Sequence, residues 1–397
     1  MFEYRADTTA NGALLLTGAT GFVGMEILAR FLERTDRRIY TLVRADDEEG
    51  ARARIERTLA ALVDRGERYR NRVVAVPGDI EAEGLGLDAA SREQLAEDVG
   101  DVIHSAASVS FALPLDESRR INVDGTRRLL EFADLARERG GLRRFSYVST
   151  AYVAGTHTGD FREDQLDVGQ DFRNAYERSK FEAERLVRSY RDRLRIQILR
   201  PSIVVGERST GWTASFNVLY APLKAFARGT YRVLPLRRSA PVDVVPVDYV
   251  ADAVFELANR PPEEQEETYH LVSGRRATTV GRLIDLSAGF FARRPPRSAP
   301  PWLYRRVVHP LLLRRADERR RRALRRSEAY FPYFSLRVRY DDRRARRRLE
   351  PAGIEPAPIE SYFDRLARFA VGARWGRAAP TRAEAHRREQ SGEVARR

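Results

Sequence analysis

The sequence predicts an α/β fold built on a doubly wound parallel sheet, and three observations carry that expectation. The first is Ala13 to Gly24, A-L-L-L-T-G-A-T-G-F-V-G, where four apolar residues, too few for a helix, run into a glycine-punctuated turn and then a helix beginning near Phe22. The second is the alternation of short apolar runs with helical patterns from there to about residue 200. The third is a second strand, Ile39 to Val43, which follows the glycines at about 20 residues and ends on a charged side chain, Arg44.

The glycine turn reads as a phosphate cradle framed by Thr17 and Thr20. Gly18 permits a tight turn, Gly21 lets the main chain approach a pyrophosphate, and Gly24 lets helix pack on strand. The N–H groups of Phe22, Val23 and Gly24 at the helix start then face the anion. The spacing G-x-x-G-x-x-G is one residue longer than the usual dinucleotide fingerprint, so its context of strand, turn and helix gives it weight as a Rossmann-type site. Arg44 stands where an Asp or Glu would bind a ribose 2′-hydroxyl, and an arginine there accommodates a 2′-phosphate. The expected cofactor is therefore NADPH. Arg54, in a helix spanning roughly Glu48 to Val63, is either a second contact to that phosphate or part of a solvated face.

The later elements follow in order. Arg72 to Val76 make a third strand with Asp79 and Ile80 just past its carboxyl end, placed to reach the adenine half of the cofactor. Val102 to Ser105 make a fourth, running into Ala106 and Ala107, small enough for the nicotinamide half to lie close to the main chain. Asn122, in I-N-V-D-G-T, either fixes main-chain geometry at the cofactor site or starts the helix that runs through Leu135. Phe145 to Ser149 form the fifth strand, and a helix from about Arg173 to Tyr190 follows a loop. Ile196 to Leu199 form the sixth and lead into Pro201, Ser202 and Ile203, also expected against the cofactor. From Gly206 the pattern loosens: residues 206–245, with an apolar helix Phe216 to Phe226, are expected to form the substrate cleft, and Pro241 to Val250 to return to the sheet.

The expected division is therefore a dinucleotide domain over residues 1–295, a basic C-terminal region over 296–375 and a disordered tail over 376–397. Residues 1–12 read as a loose lead-in. Within the basic region, Ile359, Tyr362, Phe363, Leu366, Phe369 and Ala370 fall at helical spacing.

Composition excludes several chemistries. There is no cysteine, which removes disulfides, thiolate metal sites and any cysteine acyl-enzyme. The histidines at 104, 157, 270, 309 and 386 lack metal-site spacing, so no metal is expected. No apolar run approaches the roughly 18 residues of a membrane span, and the first residues have no signal pattern, which gives a cytoplasmic expectation. Residues 301–397 hold 26 Arg and 12 acidic residues, an excess of 14 that equals the net charge of the whole chain. That basic region reads as a surface for CoA phosphates, for an acidic acyl carrier protein or for an anionic membrane at the periphery, or else as a plainly solvated face. No recognition helix or aromatic-interleaved sheet motif accompanies the charge, so nucleic acid is not expected.

Tyr176 and Lys180 lie four apart on a helix, hence on one face. A phenol near pH 10 relays protons poorly at neutral pH, and a neighbouring ammonium is expected to lower its pKa. Lys180 and Lys224 are the only lysines beside 69 arginines, so a compact ammonium at 180 draws notice.

The chain resembles the extended short-chain dehydrogenase/reductases and, within them, the fatty acyl-CoA reductases and thioester reductase domains of the male-sterility group. The stretches that carry this are T-G-A-T-G-F-V-G at 17–24, L-V-R-A at 42–45, V-I-H-S-A-A-S-V-S-F at 102–111, N-V-D-G-T at 122–126, V-S-T-A-Y-V at 148–153, Y-E-R-S-K at 176–180, R-P-S-I-V at 200–204 and V-P-V-D-Y-V at 245–250. The resemblance implies that Thr150 polarises a substrate carbonyl, that Tyr176 donates a proton, and that Lys180 tunes Tyr176 and holds the nicotinamide ribose. It also implies reduction of an acyl thioester, on CoA or a carrier protein, to an aldehyde or onward to an alcohol. Competing readings are a ketone or hydroxysteroid-type reductase, a nucleotide-sugar epimerase on the same fold, and a non-catalytic NADP(H) sensor. The last would not need Tyr176 and Lys180.

Overall fold

The computed structural model describes residues 12–63, 66–216, 218–230, 233–261 and 267–391. Seven strands form one sheet: β1 (Ala13–Thr17), β2 (Ile39–Val43), β3 (Val73–Pro77), β4 (Val99–His104), β5 (Arg144–Val148), β6 (Ile196–Pro201) and β7 (Glu267–Leu271), in spatial order β3-β2-β1-β4-β5-β6-β7. Every neighbouring pair is parallel. The chain leaves β1 in one direction for β2 and returns on its other side as β4, and ligands of such sheets bind at the crevice this reversal opens.

A strand buried on both faces must be apolar at successive residues, and β1 shows why. Leu14 and Leu16 point to one face, where they meet α1 (Phe22–Arg34), α2 (Glu48–Leu62) and, beside α1, a later helix, Val247–Asn259. Leu15 points to the other, into a core with α3 (Ala89–Asp98), α4 (Gly125–Arg139) and α5 (Ala175–Arg188). The crossings are capped as the sequence allows: Asp47 accepts from the Gly50 N–H, and Asn174 accepts from the Glu177 N–H to start α5.

β7 has no counterpart in the sequence reading, and the region after residue 295 is not a separate body. Val338–Tyr340 pairs in parallel with Gly159–Phe161, and the helix Arg343–Leu349 places Ala345 and Leu349 in the same core as β7. The helix expected near residue 362 runs over Phe363–Gly372 and packs with Tyr220–Ala227 and Val280–Phe291 around a second core. The apolar helix expected from Phe216 begins only at Tyr220.

The tail also departs from the expectation of disorder, apart from residues 1–11 and 392–397, which lie outside the described residues. Arg382–Gln390 is a helix opened by a capping box between Thr381 and Glu384. Its Arg382 is buried against Glu26 at 2.9 Å, Glu207 at 2.8 Å and Glu33 at 3.2 Å, with His386 on the other Glu207 oxygen at 2.8 Å. Those carboxylates explain the order: a buried cation needs partners, and here α1 and the segment at Glu207 supply them. Arg382→Ala would leave Glu26 with Arg30 alone and Glu207 with His386 alone. The expected cost is about 3 kcal/mol, read as a lower urea midpoint; an unmoved midpoint would show that the tail helix does not hold the fold.

Candidate active site

At the turn after β1, Gly18 has φ +75°, and a Cβ there would stand 2.7 Å from the Ala106 nitrogen. A Cβ on Gly24 would stand 2.0 Å from the Gly18 carbonyl oxygen, so the first turn of α1 lies directly on the loop. At Gly21 the only neighbour is the Gly18 oxygen at 3.3 Å, and the rest is open space. Gly21 donates to Gly18, while Phe22, Val23 and Gly24 occupy the first turn, whose N–H groups have no intrahelical acceptor. That turn carries no acidic residue. A dinucleotide pyrophosphate fits this cradle: open over Gly21, lined by unpaired donors and free of negative charge.

The flanking residues divide between those that face the cradle and those committed to the protein. Thr20, Ala106, Ala107 and Ile80 are half-buried around it, and Ile80 packs where a Gly125 side chain would otherwise stand. Arg44 projects into solvent, 71% exposed, 3.5 Å from Glu81, which also pairs with Arg120 at 3.0 Å. Arg54 donates to the Arg44 carbonyl at 2.5 Å and so braces the Arg44 turn. Asp79 accepts from the Glu81 N–H at 2.9 Å, holding its own loop.

Asn122 is buried in a π-type turn before α4 and makes no helix cap. Its amide accepts from Ser108 N–H and donates to the Ser108 carbonyl and the Ser179 hydroxyl, which joins the loop after β4 to α5. Ser202 donates to Asp243 at 2.6 Å, and the Asp243 carboxyl, pushed up to about 6 by burial, also accepts from Ser273 and Gly274. The Pro201 carbonyl accepts from Thr150 at 3.4 Å, and Ile203 lines an apolar cleft. Asn122, Ser202 and Ile203 thus hold the site or face the cleft.

Thr150 sits just past the carboxyl end of β5, beside the Tyr176 hydroxyl. Burial pushes the Tyr176 phenol up to about 12 against the pull of Thr150. This reverses the expectation that Lys180 would lower it, because the Lys180 ammonium turns to the sheet, donating to the Tyr147 hydroxyl at 2.7 Å and the Val148 carbonyl at 2.9 Å. Lys180 is itself pushed down to about 7 by burial, with Glu184 pulling the other way.

Sequence reasoning missed several neighbours. Phe111 packs on Tyr176 with ring centres 5.8 Å apart and stacks on Tyr333 at 5.5 Å. Tyr333 donates to Glu177 at 2.7 Å and accepts from Asn174 at 2.6 Å, fastening the first turn of α5 to the C-terminal region. Tyr330 and Tyr333 form one wall of the apolar cleft, about 840 Å³ including its open mouth, whose other walls include Leu223, Phe226 and Ile284. The one sequence signal for this wall is the aromatic run Y-F-P-Y-F-S at 330–335.

The family described as male sterility protein matches residues 16–254, more than half of the chain. An isonitrile lipopeptide synthase of Streptomyces coeruleorubidus is 32% identical over 69% of the chain, and the fatty acyl-CoA reductase wat of Drosophila melanogaster is 30% identical over 62%. The chain spans 18% of the synthase and 53% of the reductase. Among solved structures, the terminal R domain from the myxalamid PKS-NRPS biosynthetic pathway superposes with a TM-score of 0.80 at 29% identity, covering 94% of each chain. Gly18→Ala is expected to force a positive φ on a Cβ that has no room, costing about 1–2 kcal/mol in backbone strain alone, and to weaken dinucleotide binding at least about tenfold; calorimetry showing unchanged affinity would refute the cradle.

Proposed function

The chain belongs to the male sterility protein family and is an NAD(P)-dependent oxidoreductase of the short-chain dehydrogenase/reductase type, and on that premise we propose that it reduces an acyl thioester to the aldehyde with NADPH. The observation that carries the reading is the junction of the Thr150–Tyr176 hydroxyl pair with an apolar cleft, through Phe111, Tyr330 and Tyr333. A reducible carbonyl held at the hydroxyls then has an apolar acyl chain lying in the cleft.

The cradle of Gly18, Gly21 and the first turn of α1 holds the pyrophosphate, Arg44 meets the 2′-phosphate, and the bound nicotinamide supplies the hydride. The hydroxyls of Thr150 and Tyr176 donate hydrogen bonds to the carbonyl oxygen as negative charge grows on it. Tyr176, kept as a phenol by its raised pKa, holds the proton that this oxygen requires. Collapse of the resulting hemithioacetal breaks the C–S bond and releases aldehyde and thiol. With no cysteine in the chain, the acyl group does not pass through a cysteine thioester on the protein.

The thiol carrier is CoA or an acyl carrier protein. Exposed Trp302, Val307 and Leu311 beside exposed Arg306, Arg314 and Arg315 offer an anionic carrier both apolar and cationic contacts. Among the described residues no helix is long and apolar enough to cross a membrane, and we assign the reaction to the cytoplasm, with any membrane contact peripheral through this basic region.

In an assay of NADPH oxidation with acyl-CoAs, aldehydes, ketones and UDP-sugars, acyl-CoAs are expected to turn over with release of free CoA. The aldehyde arm shows whether reduction continues to the alcohol. Tyr176→Phe is expected to lower kcat about a hundredfold or more while NADPH binding persists. Turnover of a ketone alone would overturn the thioester assignment, and binding without any turnover would favour a sensor. Arg44→Glu is expected to weaken NADPH about tenfold or more and leave NADH little changed; equal loss for both would refute the 2′-phosphate role.

A further inference from the structure

Lys180 carries the one lysine ammonium of the site, yet no carboxylate holds it directly. Glu184, one turn further along α5, commits its oxygens to Arg200, Arg188 and Ser149. The groups that hold the Lys180 charge are neutral: the Tyr147 hydroxyl on β5 and the Val148 carbonyl. Tyr147 is buried, and its ring lies 4.2 Å from the same ammonium.

A buried polar chain runs beside Tyr147. Thr126 donates to the Asn122 carbonyl at 2.7 Å. His104 on β4, whose ring centre is 5.6 Å from that of Tyr147, reaches Thr126 through Nε2 at 3.0 Å and Thr17 through Nδ1 at 2.7 Å, and Thr17 accepts from the Ala106 N–H at 3.2 Å. Thr126 gives its only proton to Asn122, so it accepts from His104. His104 therefore carries its proton on Nε2 and accepts at Nδ1 from Thr17, a neutral tautomer consistent with burial pushing the imidazolium down to about 3. The neighbour of Tyr147 on this side is thus uncharged, and the Tyr147 oxygen accepts from Lys180.

We propose that Tyr147 is a positioning residue for the reduction: its hydroxyl and ring fix the Lys180 ammonium against β5, beside the neutral His104. The inference rests on the reductase reading above. The charge on Lys180 depends on the acceptors facing it, because Glu184 acts only through space, Tyr176 lies one turn away on the same helix, and His104 and Tyr147 are neutral. Removing the Tyr147 oxygen takes away one of two acceptors and disfavours the charged form.

The chain has only two lysines, which makes this measurable without turnover. Lysine labelled with carbon-13 at Cε gives two signals, and Lys224→Arg leaves Lys180 alone. Lys180 is pushed down to about 7 in the unaltered chain, and Tyr147→Phe is expected to move its titration acidward by about one pH unit. Tyr147→Leu, which removes the hydroxyl and the ring together, is expected to move it acidward at least as far, and it serves alone should Tyr147→Phe fail to fold. The alkaline fall of kcat/KM, where Lys180 loses its proton, should move to lower pH by the same amount. An unmoved Lys180 titration overturns the inference whatever the activity, and so does a moved titration with an unmoved alkaline limb. Wild-type protein inert to every acyl-CoA but active on a ketone would overturn the thioester reading alone; the limb is then read on that ketone.

Discussion

A charge taken out of water needs an opposite charge or hydrogen-bond acceptors to hold it, and the rest of the site depends on one such answer, the pair of Glu184 and Arg200. Neither side chain has any exposure, and the guanidinium meets the carboxylate with two nitrogens, at 3.0 and 2.5 Å. Ser149, the residue before Thr150, gives Glu184 a third hydrogen bond, and Arg200 also reaches His270 on β7 and the Gln165 carbonyl. Burying such a pair costs desolvation that a good geometry only offsets, so its value lies in specificity of place. It sets α5 in one register against β5, β6 and β7. Thr150 and Tyr176, which belong to different elements, meet because of it.

The glycine turn and the first six strands were legible because their signals are local. A strand that is apolar at successive residues, a turn that only glycine can make and a helix start are all written within about a dozen residues. Helix α5 was legible in the same way, from the four-residue spacing of Tyr176 and Lys180. Spacing on a helix shows which face two side chains share and leaves open what lies across from that face. The partner of Lys180 is a tyrosine 33 positions earlier, and in a buried strand such a tyrosine reads as ordinary core. The same limit accounts for Arg54, Asn122 and Ser202, whose polar groups turn to main chain or to partners that sequence proximity does not suggest. The tail looked disordered because it is rich in arginine, while the carboxylates that order Arg382 lie 175 and 349 residues away along the chain.

The C-terminal region is best understood as part of the wall around the apolar cleft. Tyr330 and Tyr333 line the cleft, Tyr333 clasps the start of α5, and Phe111 fills the space between them and Tyr176. The dinucleotide side of the sheet is built from residues before about 150, and the cleft side from residues after 200. The family model matches residues 16–254, so the shared part contains the cradle, the hydroxyl pair and about half of the cleft lining, while Val280, Ile284, Tyr330, Tyr333 and Phe363 lie beyond it.

The pairing of Val338–Tyr340 with Gly159–Phe161 sets an order on how the molecule comes into being. A ribosome delivers residues 1–200 first, enough for the first six strands to assemble around their own local contacts. Segment 159–161 then waits for a partner nearly 180 residues downstream, and the first turn of α5 for Tyr333, 156 to 159 residues on. Helix α1 waits longer still, for Arg382. The first half of the chain is therefore held incomplete, and the enclosure around the hydroxyl pair closes only when the last fifth of the chain has emerged.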